Sequence, residues 1–155
     1  MVFDALDRRR GKINMDDITF EYSTDSVNWT ELAEVYRLAP LGTYDSERLQ
    51  RAYETSQVCC FVYHGSQLIA AGRALSDGEY FAFICDVVVL PEFQRQGIGT
   101  RIMNAVSERL AAEKVLLACV IGQEDFYRKQ GFLRHKSVMA LYPNAEWYRE
   151  NGLLE

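Results

Sequence analysis

The sequence contains few of the residues that metal sites and disulfide scaffolds require. Its 155 residues include only two histidines and four cysteines, and no two cysteines form a Cys-x-x-Cys pair. Each cysteine lies in an apolar run, where a free thiol usually packs as a small hydrophobic group. We therefore expect no metal site, no disulfide framework and a reducing compartment, which predicts a cytoplasmic protein.

The sequence also lacks long apolar runs and an excess of positive charge. Its longest apolar stretches are far shorter than the roughly 20 residues that span a bilayer, and no apolar segment follows the arginines at positions 8–10, as it would in a secretory signal. The 17 Lys and Arg residues are outnumbered by 22 Asp and Glu residues, which gives a formal net charge of −5. Broad nucleic-acid binding relies on a basic face, so we expect neither a membrane nor a nucleic acid as partner.

The composition is that of an ordinary folded domain. Apolar residues make up 48% and charged residues 25% of the chain, whose length of 155 residues is close to the usual size of one domain. The first residues differ, because Arg8-Arg9-Arg10-Gly11-Lys12 is basic and shows no apolar pattern. We predict a flexible basic arm over residues 1–14 and a single domain over residues 15–155.

Apolar periodicity predicts both strands and helices along this domain. Helix caps are expected at Asn28 and at Asp45 or Ser46. The predicted strands cover residues 18–22, 58–63, 68–75, 80–90, 115–121 and 138–142, and the predicted helices cover residues 28–38, 46–54, 97–113 and 125–130. A run of hairpin strands followed by helix, strand, helix and strand indicates an α/β fold with a mixed sheet.

The segment from residue 84 to residue 100 carries the clearest functional signal. It reads as a strand, a turn at Pro91 and a loop with Gly97 and Gly99 that opens a helix. The first N–H groups of a helix have no internal partner and lie at the positive end of its dipole, and glycines let the backbone approach phosphate oxygens closely. We interpret the segment as an anion site. It is neither a P-loop, which needs a Gly-Lys-Ser/Thr string, nor a dinucleotide fingerprint, which needs glycine or alanine where this chain has Ile102.

The full string is more specific than a pair of glycines. Gln94-Arg95-Gln96-Gly97-Ile98-Gly99 resembles the Gln/Arg-x-x-Gly-x-Gly/Ala motif of the GCN5-related N-acetyltransferase (GNAT) superfamily, and it lies between a strand and a long helix, as that motif does. Residues 126–132 resemble the second signature, Phe-Tyr-x-x-x-Gly-Phe, and residues 68–132 are most similar to the plant arylalkylamine (serotonin-type) branch and its bacterial relatives. The resemblance covers about residues 18–142. It implies the GNAT α/β (α+β) fold, a central, mixed, twisted sheet of about six to seven strands flanked by about four helices.

The resemblance implies acetyl-CoA as the cosubstrate, held largely by backbone groups. Val87, Val88 and Val89 would form the strand beside it, with the backbones of Val87 and Val89 paired with the pantetheine arm. An amide near Val87, beside the bulge that family members carry in this strand, would polarise the thioester carbonyl. The chain departs from the pattern at Val120, where many members have a cofactor-contacting asparagine, so this contact is missing or is supplied elsewhere. The pyrophosphate would be held by the amides of Gln94, Arg95, Gln96, Gly97, Ile98, Gly99 and Thr100.

Tyr127 is the candidate acid for the leaving group. The resemblance implies that its hydroxyl protonates the leaving thiolate, a role that suits a phenol because the CoA thiol is of comparable basicity. The alternative is a buried aromatic residue that packs beside Phe126 on a short amphipathic helix.

Asp86 is the candidate base, or the group that orients a water, for the attacking amine. Strict alternation along the strand 80–90 places its side chain on the same face as those of Ala82, Ile84 and Val88. A carboxylate is costly to bury unpaired, and Arg73 on the preceding strand could neutralise it, so a structural ion pair is an equal alternative. A pair with arginine favours a water relay over direct proton abstraction.

The resemblance therefore implies an acetyl-CoA-dependent N-acetyltransferase that acts on a primary amine by direct attack in a ternary complex. Two alternatives stay open: a protein or peptide N-acetyltransferase that modifies a lysine or an N-terminal amine, and a catalytically weak acyl-CoA-binding sensor or interaction module. A homodimer is also expected, because superfamily members often dimerise.

Overall fold

The computed structural model describes residues 13–155, so most of the predicted N-terminal arm, residues 1–12, lies outside the described residues. The chain divides into two compact units, the first ending at Ala118 and the second covering Cys119–Glu155. At the start of the described part, the Ile13 amide donates to Oε1 of Gln96 at 3.2 Å. Asn14 caps the short 3-10 turn Met15–Asp17. The single domain over residues 15–155 stays a prediction.

The first unit is a mixed sheet with helices. Its elements, in chain order, are β1 (Ile18–Glu21), α1 (Trp29–Leu38), α2 (Ser46–Glu54), β2 (Val58–His64), β3 (Gln67–Ser76), β4 (Phe81–Val89), α3 (Ile98–Ser107) and β5 (Lys114–Leu117). The strand order is β1-β2-β3-β4-β5. The first four strands pair antiparallel with their neighbours, and β5 pairs parallel with β4. The predicted α/β fold with a mixed sheet is confirmed.

Local sequence signals account for the helix boundaries. Asn28 Oδ1 accepts a hydrogen bond from the Glu31 amide at 3.1 Å, and Asp45 Oδ1 accepts one from the Arg48 amide at 2.9 Å. These side chains satisfy amides of the first helical turn that have no intrahelical partner. Both predicted caps are therefore confirmed, with Asp45 rather than Ser46 capping α2. The helix α3 ends at Ser107, earlier than the predicted 97–113.

The two faces of the sheet pack against different helices. On one face, Phe61 of β2 packs against Tyr53 of α2, with ring centroids 5.2 Å apart. On the opposite face α3 comes so close that a methyl group on Gly72 of β3 would lie 2.5 Å from Cγ2 of Ile102. Glycine is therefore required at this strand position by a close approach. We call these surfaces the α1/α2 face and the α3 face.

The second unit contains two short helices, α4 (Glu124–Lys129) and α5 (Ala145–Glu150). The predicted strand 138–142 is wrong, because these residues form no regular structure, and the side chains of Met139 and Leu141 are 91% and 97% exposed. An alternating pattern becomes a strand only where another strand pairs with it, and no strand between residues 13 and 155 pairs with this segment. The described residues therefore contain five strands, fewer than the implied count of about six to seven.

Candidate functional site

The edge of β4 that faces β5 is paired over only part of its length. β5 pairs with β4 from Phe81↔Lys114 to Ile84↔Leu117 and then ends. β4 continues to Val89 along β3. In the described part of the chain, no strand pairs with this edge of β4 beyond Ile84. The sheet is therefore open along residues 85–89 of β4.

The backbone groups of Val87 and Val89 point into this opening. The Leu90 amide donates to the Ile69 carbonyl of the β3 strand at 2.9 Å, so the backbone of Leu90 faces β3. Because consecutive residues of a strand direct their N–H and C=O groups to opposite edges, Val88 also faces β3, whereas Val87 and Val89 face away from it. The side-chain amide of Gln94 donates to the Val89 carbonyl from this open side at 2.8 Å. The open edge thus offers strand hydrogen bonds to an extended, amide-containing ligand.

A β-bulge separates the paired half of β4 from the open half. Ala74 lies opposite Ile84, and the preceding residue, Arg73, lies opposite Asp86, so Cys85 is the extra residue. Since consecutive residues of β3 have their side chains on opposite faces, Ile84 and Asp86 do as well. The prediction that both share one face is wrong, because it assumed an uninterrupted alternation. The bulge places the Asp86 side chain on the α1/α2 face.

On that face Asp86 forms an ion pair with Arg73. The Arg73 Nε donates to Oδ2 of Asp86 at 2.5 Å, and both side chains are less than one-fifth exposed, at 19% and 17%. Arg73 also donates from Nη1 to the Ser56 hydroxyl at 3.4 Å. Burial is the largest single influence on Arg73 and lowers its pKa, but the charge and hydrogen bond of Asp86, together with Cys85 and Tyr36, outweigh it, so the pKa of the guanidinium is raised. Arg73 is therefore the partner of Asp86, as the ion-pair alternative in the sequence analysis predicts.

Two buried phenols lie beside this ion pair. The hydroxyls of Tyr36 from α1 and Tyr53 from α2 are 2.9 Å apart, and neither residue is exposed. Burial, Tyr53 and the charge of Asp86 raise the pKa of Tyr36 well above its ordinary value. Burial and the charge of Asp86 also raise the pKa of Tyr53. Both phenols thus stay protonated near neutral pH and can donate hydrogen bonds.

The predicted phosphate loop takes the expected shape at the start of α3. Gly97 precedes the helix with φ 84°, and as the N-cap residue it makes no side-chain hydrogen bond to the amides of the first turn. Arg95 has φ 60° and is the one non-glycine residue between 13 and 155 with a positive φ. A helix start with glycine amides and no cap fits an anionic group. The loop therefore has the geometry of an anion site, and its assignment to the pyrophosphate of CoA stays a prediction.

Glutamine side chains hold this loop in place. Gln94 bonds back to β4 through the Val89 carbonyl, as described above, and the Gln96 amide donates to the Glu92 carbonyl at 3.1 Å. These two glutamines were predicted as backbone ligands only, and their side chains add support that the motif does not reveal.

Tyr127 lies in the second unit, on α4. Its ring packs edge-on against Phe126, with centroids 4.9 Å apart, and at 6.2 Å from Phe132. Gly131 follows the helix with φ 90°, the left-handed conformation that commonly ends a helix. The first unit brings Asp86, residues 87–89 and residues 94–100 together, and the role of Tyr127 stays a prediction.

Sequence reasoning missed Tyr36, Tyr53, Ser56 and Gly72 as parts of the site. A glycine inside a strand pattern indicates a close approach of backbone, so Gly72 was detectable. The two tyrosines and the serine carry no such signal, because their role depends on which face of the sheet Asp86 occupies. Within residues 13–155 no cluster of three His, Cys, Asp or Glu side chains is placed to hold a metal ion, and no helix has the length and apolarity needed to cross a membrane.

Comparisons with known proteins agree with this geometry. The model of the acetyltransferase (GNAT) family matches residues 26–132. An uncharacterized N-acetyltransferase, ycf52, of Porphyra purpurea is 26% identical over 83% of this chain and 78% of its own length. Serotonin N-acetyltransferase 2, chloroplastic, of Oryza sativa subsp. japonica is 37% identical over 53% of this chain and 41% of its own. The solved structure of a GNAT family acetyltransferase from Streptococcus pneumoniae superimposes with a TM-score of 0.68 at 25% identity, covering 81% of this chain and 98% of the other.

Proposed function

Because the chain belongs to the acetyltransferase (GNAT) family, we propose that it transfers the acetyl group of acetyl-CoA to a primary amine by direct attack in a ternary complex. The observation that carries this proposal is the open edge of β4. Val87 and Val89 direct their backbone groups to this edge, with the Val89 carbonyl already accepting from Gln94, and the loop at residues 94–100 follows at the start of α3. In this proposal the edge receives an extended amide chain and the loop receives the phosphates at its end.

The backbone of the first unit supplies the contacts. Acetyl-CoA, when bound, supplies the activated thioester. Val87 and Val89 hold the pantetheine arm, the amides of residues 94–100 hold the pyrophosphate, and the Val87 amide donates to the carbonyl oxygen of the thioester. A donor fixed where negative charge develops lowers the barrier without any rearrangement.

As the amine nitrogen bonds to the thioester carbon and the C–S bond breaks, Asp86 orients a water that takes the amine proton and passes it to bulk solvent. The carboxylate is already bonded to Arg73 through Oδ2, which leaves its other oxygen for a water. Because the ion pair with Arg73 already engages this carboxylate, a relay through water is favoured over direct abstraction of the proton. Tyr127 protonates the departing thiolate in this scheme.

The acceptor is a primary amine, on a small molecule or on a protein lysine or N-terminus. The plant relative named for serotonin makes a small arylalkylamine the first compound to test. A homodimer and a cytoplasmic location stay predictions, and that relative's name places it in the chloroplast.

The test is a thiol-release assay with acetyl-CoA against arylalkylamines, polyamines, amino acids and short peptides with a free lysine or N-terminus. We expect release with at least one class of amine, and the product is identified by mass spectrometry. CoA binding by calorimetry without release for any class would replace this proposal by the sensor alternative, which Val120 and the paired state of Asp86 favour. No CoA binding would overturn both.

A further inference from the structure

We propose that Arg73 is a positioning residue for acetyl transfer: its side chain fixes the bulge of β4 that turns Asp86 towards the α1/α2 face and sets the direction of the Val87 amide. This inference rests on the proposed function and goes beyond it, because it assigns a role to Arg73, which is not among the predicted contacts with acetyl-CoA.

A side-chain contact joins the two strands directly beside the extra residue of the bulge. A bulge leaves one residue without a partner in the ladder, and here that residue is Cys85. The register shift falls between Arg73 and Ala74, and Arg73 pairs with Asp86 across the two strands. The bond from Arg73 Nε to Asp86 Oδ2 joins these same two residues. This bond therefore holds the register of the strands on one side of the extra residue.

Arg73 is itself held from the helix side of the sheet. Its Nη1 donates to the Ser56 hydroxyl, and its guanidinium carbon lies 5.6 Å from the centre of the Tyr53 ring. Ser56 in turn donates to the Ala52 carbonyl at 2.7 Å, which fixes it to the end of α2. Because a guanidinium is planar and presents its donors in a rigid fork, these contacts define its plane. Arg73 thus connects the end of α2 to the bulge of β4.

The opposite face of the bulge is held independently. Gly72 lies opposite Val87, and α3 packs directly on it through Ile102. Removing the Arg73 guanidinium therefore releases the bulge on one face only. The packing of α3 and the loop at its start stay in place, so the loss affects the reacting end of the site and spares the pyrophosphate end.

The experiment compares Arg73→Met with Arg109→Met. Arg109 is a matched control, because its guanidinium also stacks on a tyrosine, Tyr22, at 3.6 Å and donates to the Ala105 carbonyl. Unlike Arg73, it lies on the α3 face, away from Asp86. For Arg73→Met we expect kcat to fall about 10–100-fold, since small misplacements of reacting groups have effects of this size. The dissociation constant of CoA and the KM of the amine should stay within about threefold of wild type. Arg109→Met should keep the wild-type kcat.

Two further measurements separate positioning from a general loss of structure. Arg73→Lys should recover part of the rate, because an ammonium group reaches Asp86 but cannot serve Ser56 in the same plane. Hydrogen exchange of the peptide covering residues 84–90 should speed up in Arg73→Met and not in Arg109→Met. Combining Arg73→Met with Asp86→Asn should be no slower than Asp86→Asn alone, because both changes act on one unit.

Three results would overturn the inference. One is a wild-type kcat for Arg73→Met with only the melting temperature lowered, and another is a raised KM for the amine at unchanged kcat, which would mean direct contact with the acceptor. The third is unchanged exchange at residues 84–90. If wild type transfers no acetyl group to any amine, the proposed function fails, and the exchange measurement alone still decides whether Arg73 holds the bulge.

Discussion

The two halves of β4 differ in their neighbours more than in their residues. Residues 81–84 lie between β3 and β5, with hydrogen-bonded strands on both sides. Residues 86–89 pair with β3 alone, and every second residue of this half turns its backbone to an open edge. The first half holds the sheet together, and the second half presents the groups that we assign to acetyl-CoA. A strand acquires a binding edge here because its neighbour ends early.

The bulge at the junction adds a second difference. Before it, the buried residues Ala82 and Ile84 face α3, and beyond it Asp86 and Val88 face α1 and α2. One extra residue therefore moves a carboxylate from an apolar interface to a polar cluster with Arg73 and two phenols. The comparison predicts that changes to the open half alter turnover and that changes to the packing around it alter stability.

The largest effect is expected from replacing the acid that protonates the leaving thiolate. The open half of β4 presents backbone donors to the opening, so this proton comes from another element, and Tyr127 is the candidate. Tyr127→Phe should lower kcat by roughly 10²–10⁴-fold. Tyr148→Phe is the control, because Tyr148 stacks on Tyr142 in the same unit at 4.1 Å and the change keeps the ring. A wild-type rate for Tyr127→Phe at every pH would remove Tyr127 from the mechanism.

The second effect tests the direction of the amides in the open half. Val87→Pro removes an N–H that faces the opening, and losing one such donor typically lowers kcat by about 10²–10³-fold. Val88→Pro removes an N–H that faces β3 and should instead destabilise the fold, because proline deletes a ladder bond. Steady-state kinetics and urea unfolding of both variants make the test. The reverse pattern would show that the alternation of residues 87–89 is assigned wrongly.

The third effect concerns the packing behind the bulge. Gly72→Ala places a methyl group against Cγ2 of Ile102, and overpacking of this kind costs about 1–3 kcal/mol in the free energy of unfolding. Urea denaturation measures it. Adding Ile102→Ala removes the clashing methyl group, so the double variant should be less destabilised than the sum of the two single variants. Simple additivity would mean that the close approach of α3 is absent in solution.

The smallest effect compares two glycines with the same backbone conformation. Gly97 at the start of α3 has φ 84°, Gly78 in the β3–β4 turn has φ 82°, and neither has a neighbour among residues 13–155 that a methyl group would meet. Alanine at either position should cost about 1 kcal/mol of stability, because the left-handed region strains a Cβ. Only Gly97→Ala should weaken CoA binding, by about tenfold as measured by calorimetry. Equal CoA affinities for both variants would mean that the loop at Gly97 does not bind the cofactor.

Features that depend on neighbouring residues were predictable from the sequence. Asn28 and Asp45 cap helices within three residues of their own positions, and Gly97 and Gly131 supply the positive φ that their loops require. The phosphate loop belongs to this group, because its shape follows from a helix start without a cap. The segment 138–142 shows the limit of this reasoning, since its alternating pattern gives no strand without a partner.

The sequence by itself determined the strands and helices of the first unit, the loop at residues 94–100 and the family to which both signatures point. These features arise from interactions between near neighbours in the chain.

Only the tertiary structure decided that β5 ends before the open half of β4 and that Cys85 is the extra residue. It also decided that Asp86 pairs with Arg73, which in turn bonds to Ser56, beside two buried phenols. The reason is register. Which residues face each other across strands depends on contacts between distant parts of the chain, and a shift of one residue exchanges the two faces of the sheet.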